Sequence, residues 1–284
     1  MASEPAIEHI LDRIVRAKLI ELQRVRVDVP VAMLEKEIAA QPARVPGRFR
    51  NALLTRREGD FNTKPRFAII AESKKASPSL GVIQSDYDAV RNALAYERAG
   101  ASAVSVLTNA EFFQGSLNDL RRVKAASSLP ALRKDFTLDE YHIVEAAAAG
   151  ADAVLLIVAI LDHDRLRRFL TAAAALNLDA LVEVANRPEL DLALDVMAGT
   201  GPSTALIGVN NRDLRNFSVS LNTSLELIDI IPDGMLAVSE SGLRTGADLA
   251  QLEAAGFDAF LIGERFMKQP DPGAALAQLL AEAS

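Results

Sequence analysis

The chain has 284 residues, 50% of them hydrophobic and 24% charged, which is enough to bury a full core in one large α/β domain or two smaller ones. A net charge of −7 argues against nucleic acid or an anionic membrane surface as the main partner, while leaving room for a small anion held by a local cluster of donors. Cysteine is absent, which excludes disulfides, thiolate metal sites and cysteine nucleophiles and suits a reducing cytoplasm.

Residues 1–65 precede the first strand signal. The opening MASEPAIEHILDRIVRAK is charged and periodic and lacks the apolar centre of a signal peptide, so a cytoplasmic location is expected. IEHILDRIVRAKLIELQRV has helical spacing, PVAMLEKEIAAQP predicts a second helix, and the arginine-rich stretch 43–65 predicts a loop or short helix. Short apolar runs then recur: RFAIIAESK (66–74), AVSVLT (103–108), ALRKDF (131–136), AVLLIVAI (153–160), ALVEV (180–184), ALIGVNNR (205–212), MLAVSES (235–241) and AFLIGE (259–264). Between them, 88–100, 117–128, 138–150, 164–177, 187–199, 224–232 and 245–256 place apolar residues three and four apart, and 272–283 closes the chain in the same way. Gly100, Gly150, Gly199 and Gly256 are expected to end helices in the left-handed conformation. AGASAV (99–104), AGADAV (149–154) and AGFDAF (255–260) repeat one helix-to-strand junction. The longest apolar run, ADAVLLIVAIL, is about half a membrane-spanning length.

This alternation of strand and helix predicts parallel pairing with right-handed crossovers, closing as a (β/α)8 TIM barrel. The expected organisation is a single domain over 1–284, with residues 1–65 as an N-terminal helical extension packed on the barrel. The alternative is an open doubly wound sheet, but no GxGxxG follows the first strand.

Every run except AVLLIVAI carries a polar or charged group at or next to its end, which a buried parallel strand does not itself require. Side chains alternate along a strand, so parity assigns them to faces. Glu72 and Lys74 share a face, as do Leu132 and Lys134, Leu181 and Glu183, Val238 and Glu240, and the set Gly208, Asn210 and Arg212. All can point into the barrel mouth, whereas Arg133 and Asp135 point toward the helices and read as structural. Taken singly, a charged strand end is as well explained by an ion pair tying the barrel top together. Taken together, Glu72, Lys74, Lys134, Glu183, Asn210 and Glu240 read as a catalytic rim, since buried charges are costly unless used or paired.

The carboxylates of Glu72, Glu183 and Glu240 favour protonated lysines, so Lys134 reads as a cationic general acid rather than a Schiff-base nucleophile, with Glu183 the complementary base. Asn210 can orient a hydroxyl without changing charge. Loops after the seventh and eighth strands of such barrels often bind phosphate through backbone N–H groups, and Gly242 and Gly263 stand there, with Lys74 able to add positive charge. His9, His142 and His163 have no metal-ligand spacing; His142, in a helical pattern, is expected at the surface.

IIAESKKASPS (69–79), SVLTNAEFFQGSLNDL (105–120) and ALRKDFTLDEY (131–141) resemble segments of the indole-3-glycerol-phosphate synthase family. LLIVAIL (155–161), ALVEV (180–184), IGVNNRDL (207–214), VSESG (238–242) and FLIGE (260–264) continue the resemblance in order over residues 65–268. It implies ring closure, decarboxylation and dehydration of 1-(2-carboxyphenylamino)-1-deoxyribulose 5-phosphate in tryptophan biosynthesis, without cofactor or metal. By that resemblance Lys134 would activate the ribulose carbonyl and Glu183 would serve the dehydration. Lys74 would hold the substrate and share the acid role, Glu72 and Asn210 would orient substrate and lysines, and Glu240 and Ser241 would complete the site. Ser77, Phe113 and Arg212 would contact the anthranilate end, while Gly242, Gly263 and Glu264 would carry phosphate contacts through their backbone.

Ala185 departs from a histidine common in LVEVH, Leu80 from a lysine in SPSKG, and Arg265 from a small residue near the phosphate. MAGTGPSTA (197–205) is longer than usual. Arg265 is expected to add an anion contact or to reach solvent. Two other readings are a phosphoribosylanthranilate isomerase relative, against which the intact AESKKASPS segment and the lysine–glutamate pair argue, and a non-catalytic binding barrel, which would have lost rim residues. The expected partner is a small phosphosugar substrate, with no nucleic acid or membrane, and the protein itself is expected to be a monomer or weak homo-oligomer.

Overall fold

A computed structural model of the protein describes residues 10–54, 67–199, 205–213 and 218–282. Eight parallel strands form the barrel: β1 (Ala68–Ser73), β2 (Ala103–Leu107), β3 (Ala131–Lys134), β4 (Ala153–Ile157), β5 (Asp179–Val184), β6 (Ala205–Asn210), β7 (Ala237–Glu240) and β8 (Ala259–Ile262). The sheet closes where β1 pairs with β8, Ala68 beside Ala259. Apart from Lys134, every strand residue is buried, as strands covered on both faces require.

Alternation along the strands separates two apolar clusters. Ile70, Leu132, Leu155, Leu181, Leu206, Val238 and Leu261 fill the barrel interior. Ile69, Val104, Val154, Val182 and Ile207 face the surrounding helices. Extended two residues further, the inward parity reaches Glu72, Lys134, Glu183 and Glu240.

The N-terminal extension covers both ends of the barrel. The first helix, α1 (Ile10–Asp28), lays Leu11 and Ile14 into the interior cluster at the C-terminal end of the strands. A second helix, α2 (Val31–Ala39), packs Leu34 against Tyr141 and Ala148 of the helix Glu140–Ala148. The short α3 (Arg48–Leu54) plugs the opposite end with Phe49 and Leu53, its Arg48 paired to Asp152 at 3.1 Å and its Arg50 N–H donating to Asp179 at 2.9 Å. The rest of the arginine-rich stretch, residues 55–65, and most of MAGTGPSTA lie outside the described residues.

Two expectations are corrected. His142 is buried, not on the surface, because the extension overlies its helix; its Nδ1 accepts from the Leu138 N–H at 3.2 Å. Burial first, then Arg133 and Lys18, push its pKa well below that of an ordinary histidine, so it is a neutral core residue. Gly100, Gly150 and Gly256 adopt positive φ, whereas Gly199 stays within its helix, Arg187–Gly199, without one. Among the described residues, no helix is long and apolar enough to cross a membrane.

Candidate active site

Every site residue named from the sequence lines one pocket at the C-terminal ends of the strands. At its floor the Lys134 ammonium lies 2.8 Å from Glu183 Oε2 and 2.9 Å from Glu240 Oε2. Burial alone would lower the Lys134 pKa, but Glu183, Glu240 and Glu72 outweigh it and hold it above that of an ordinary lysine. The ammonium is therefore the state present near neutrality, as an acid requires and a Schiff-base amine does not.

Glu240 behaves differently. Burial raises its carboxyl, Lys134 pulls it back, and Glu183 with Glu72 adds to the rise, leaving it pushed up to about 7. Its Oε1 is buried without a hydrogen-bond partner among the described residues. That oxygen fits because position 208 is glycine: a Cβ there would stand 2.2 Å from it.

The folded-state pKa of Glu240 thus lies above its ordinary value of 4.5, so its stabilising contribution is complete below that value and is lost as pH rises through about 7. Glu240→Gln, neutral throughout, is expected to unfold at a temperature higher by a few degrees at about pH 8, with little difference at about pH 4. Its turnover falls because Lys134 loses a partner. Thermal unfolding at the two pH values reads the effect; equal shifts at both would contradict it.

Lys74 pairs with Glu72 at 2.6 Å. Burial would raise the Glu72 carboxyl, yet Lys74, Lys134 and Arg212 hold it below the usual carboxylate range. Gly263 has a steric reason beyond any phosphate contact, since a Cβ there would come within 2.4 Å of Glu72 Oε1. Arg212 Nη2 lies 2.9 Å from Glu264 Oε2, joining the loops after β6 and β8, and the Arg212 N–H donates to Asn210 Oδ1 at 3.0 Å. Burial raises the Glu264 carboxyl, but the Lys268 hydrogen bond at 2.7 Å, with Arg212 and Lys74, keeps it low.

One side of the pocket is apolar, and apart from Phe113 the sequence does not single out its residues. Ile10, Leu11 and Ile14 of α1 line it together with Leu155, Ile157 and Phe136, and the rings of Phe113 and Phe136 are 6.2 Å apart. Phe136 could have been found, because it shares parity with Lys134. The α1 residues could not, because a helical pattern shows an apolar face without showing where it docks.

The Arg133 side chain turns toward the helices as parity required, and the Asp135 carboxylate is engaged behind the pocket that this residue also borders. Asp135 Oδ2 takes Lys18 of α1 at 2.9 Å and Thr108 Oγ1 at 2.7 Å, while Arg133 reaches Glu145 at 2.6 Å and the His142 carbonyl at 2.7 Å. Arg265 borders the pocket and does not simply reach solvent: its Nη2 holds both oxygens of Glu282 on the last helix, at 2.9 and 3.0 Å. Leu80 is exposed in a small hairpin, and the Ala185 N–H donates to Glu189 at 2.8 Å.

Fold and pocket together place the chain in the class of (β/α)8 barrels that gather charged side chains at the C-terminal strand ends. A family model described as indole-3-glycerol phosphate synthase matches residues 11–279. Indole-3-glycerol phosphate synthase from Aromatoleum aromaticum is 45% identical over 271 residues, covering 95% of this chain and 98% of that protein. The enzyme of the same name from Thermoanaerobacter pseudethanolicus is 44% identical over 274 residues, covering 96% and 98%. Among solved structures, 3-hexulose-6-phosphate synthase superposes with a TM-score of 0.61 at 18% identity, covering 77% of this chain and 100% of that one, a likeness of fold alone.

The chain belongs to the indole-3-glycerol phosphate synthase family. It is a carboxy-lyase of tryptophan biosynthesis that forms indole-3-glycerol phosphate.

Proposed function

We propose that Lys134 and Glu183 divide this reaction between them, on a substrate that is a phosphosugar derivative of anthranilate. The observation that carries the reading is the Lys134 ammonium held between Glu183 and Glu240 beneath a pocket with an aromatic wall. In ring closure, the anthranilate ring carbon bearing the carboxylate attacks the ribulose carbonyl, and Lys134 gives its proton to the carbonyl oxygen, which becomes a hydroxyl. Carbon dioxide then leaves and aromaticity returns to the benzene ring. In dehydration, Glu183 takes the departing proton while the hydroxyl leaves as water, with Lys74 sharing the acid role.

Glu72 orients Lys74, and Asn210 orients the hydroxyl. Glu240 holds Lys134 charged, and Ser241 completes this end of the site. Ser77, Phe113 and Arg212 face the anthranilate end, and the backbone at Gly242, Gly263 and Glu264 faces the phosphate. Positioned charges supply the stabilisation, so the reading needs neither cofactor nor metal. The extension and barrel work as one domain, in a cytoplasmic monomer or weak homo-oligomer.

The assay is to supply 1-(2-carboxyphenylamino)-1-deoxyribulose 5-phosphate and follow indole fluorescence. Product formation at an enzymatic rate is expected, and no product from folded protein overturns the reading.

A further inference from the structure

Asn211 does not line the pocket, yet it stands between two residues that do, Asn210 and Arg212. It is 2% exposed and its amide is fully engaged. Both Nδ2 hydrogens are donated, to Ser239 Oγ at 3.0 Å and to the Ser241 carbonyl at 3.1 Å, and Oδ1 accepts from the Ser224 N–H at 3.0 Å. The backbone is engaged as well: the Asn211 N–H donates to the Glu240 carbonyl at 2.9 Å, and the Asn211 carbonyl accepts from the Ser220 N–H at 3.0 Å. Behind the amide, the hydroxyls of Ser224 and Ser239, both fully buried, lie 2.8 Å apart. A buried polar spine therefore ties the end of β6 to β7 and to the helix Asn222–Ile228.

The backbone that this spine grips is in an unfavourable conformation. Ser241 has φ 68° and Gly242 φ 80°. An L residue such as Ser241 pays sterically for the left-handed region and stays there only when its surroundings over-determine it. The Asn211 amide on the Ser241 carbonyl is one such determinant. The second is packing, since Gly242 lies so close to Val219 that a Cβ would come within 2.6 Å of its Cγ1. Immediately before the turn is Glu240, the partner of Lys134, and immediately after it is Leu243, which lines the pocket.

We propose that Asn211 is a positioning residue: by clamping the Ser241 carbonyl it fixes the direction in which the Ser241–Gly242–Leu243 backbone faces the phosphate end of the substrate. This rests on the phosphate reading of that turn given above. The serines of the spine support the amide from behind, and the amide alone reaches the turn.

The test compares Asn211→Ala and Asn211→Asp with Ser239→Ala. Aspartate matches asparagine in size and still accepts from the Ser224 N–H, but it sets oxygen against oxygen at Ser241, so it loses the clamp without leaving a cavity. Ser239→Ala removes a spine bond and leaves the clamp. In both Asn211 variants KM is expected to rise by about tenfold or more, with kcat within about threefold of wild type, the pattern left when binding is lost equally from ground and transition states. Ser239→Ala is expected to lower the unfolding temperature without moving KM.

Amide hydrogen exchange over residues 240–246, measured without any ligand, is expected to accelerate in the Asn211 variants and not in Ser239→Ala. Unchanged exchange and unchanged KM in folded Asn211→Asp overturn the proposal. Accelerated exchange with unchanged KM separates the two claims: the clamp exists, and the phosphate reading of the turn, with the function proposed for Asn211, is wrong.

Discussion

Lys134→Ala is expected to lower kcat by about a thousandfold or more, toward the upper end of what one general acid contributes. Two losses combine. The proton donor to the carbonyl disappears, and Glu183 and Glu240, which shared one ammonium at 2.8 and 2.9 Å, are left facing each other without it. Like charges so placed repel, so the carboxylates are no longer held in position and the base is impaired along with the acid. Lys134→Arg separates charge from geometry, because a guanidinium restores the cation but is a larger planar fork that does not place a donor where the compact ammonium stands. It is expected to fold and to stay slow. The affinity for inorganic phosphate as a competing ligand is expected to be nearly unchanged in both, since Lys134 lies at the floor between the carboxylates. Near-normal turnover in Lys134→Ala would mean that the acid is another residue.

Lys18→Met is expected to cost about 3–5 kcal/mol of stability, the range for breaking a buried ion pair from one side. Lys18 and Asp135 are 1% and 3% exposed in their side chains and lie 2.9 Å apart. Burial would raise the Asp135 carboxyl, but Lys18 and Arg133, with hydrogen bonds from Lys18 and Thr108, hold it well below the usual carboxylate range. A depressed folded-state pKa stabilises above the unfolded value, and the contribution is lost as pH falls through the folded value. The difference between wild type and Lys18→Met should therefore be full at neutral pH and narrow in acid, below about pH 4. Denaturant unfolding at several pH values measures it. Because α1 also carries Ile10, Leu11 and Ile14 to the pocket, KM should rise as well. A folded variant of unchanged stability would show that α1 is held by its apolar face alone.

These two lysines mark what a reader of the sequence can and cannot reach. Lys134 was legible because parity is local: Leu132 lies in the barrel interior, so the residue two further on must point into its mouth. The same rule placed Glu183 and Glu240 inward and turned Asp135 away. Lys18 was not legible, because a lysine in a helical pattern looks solvated until the helix is known to lie over β3. His142 failed for that reason, covered by an extension whose docking is a long-range fact. Gly199 failed because a helix-ending glycine permits positive φ without requiring it.

The site divides in the same way. Residue type and spacing reached the rim, but nothing local distinguishes Glu183 from Glu240 as carboxylates. Three-dimensional surroundings do so, by burying Glu240 against Gly208 and leaving one oxygen without a partner. The place of Gly263 in the chain suggests a phosphate contact, and its closeness to Glu72 is a second constraint that only the barrel closure brings about. Asn211 stayed hidden because its side chain points away from the pocket that its neighbours line.

The division of labour between Lys134 and Glu183 is tested most directly by following carbon dioxide release and indole fluorescence together in a single turnover. In wild type the two should rise in step. In Glu183→Gln, ring closure and decarboxylation still have their acid, so carbon dioxide should appear well ahead of indole; in Lys134→Ala neither should appear on that timescale. Carbon dioxide and indole rising together in Glu183→Gln at the wild-type rate would contradict the assignment of dehydration to Glu183.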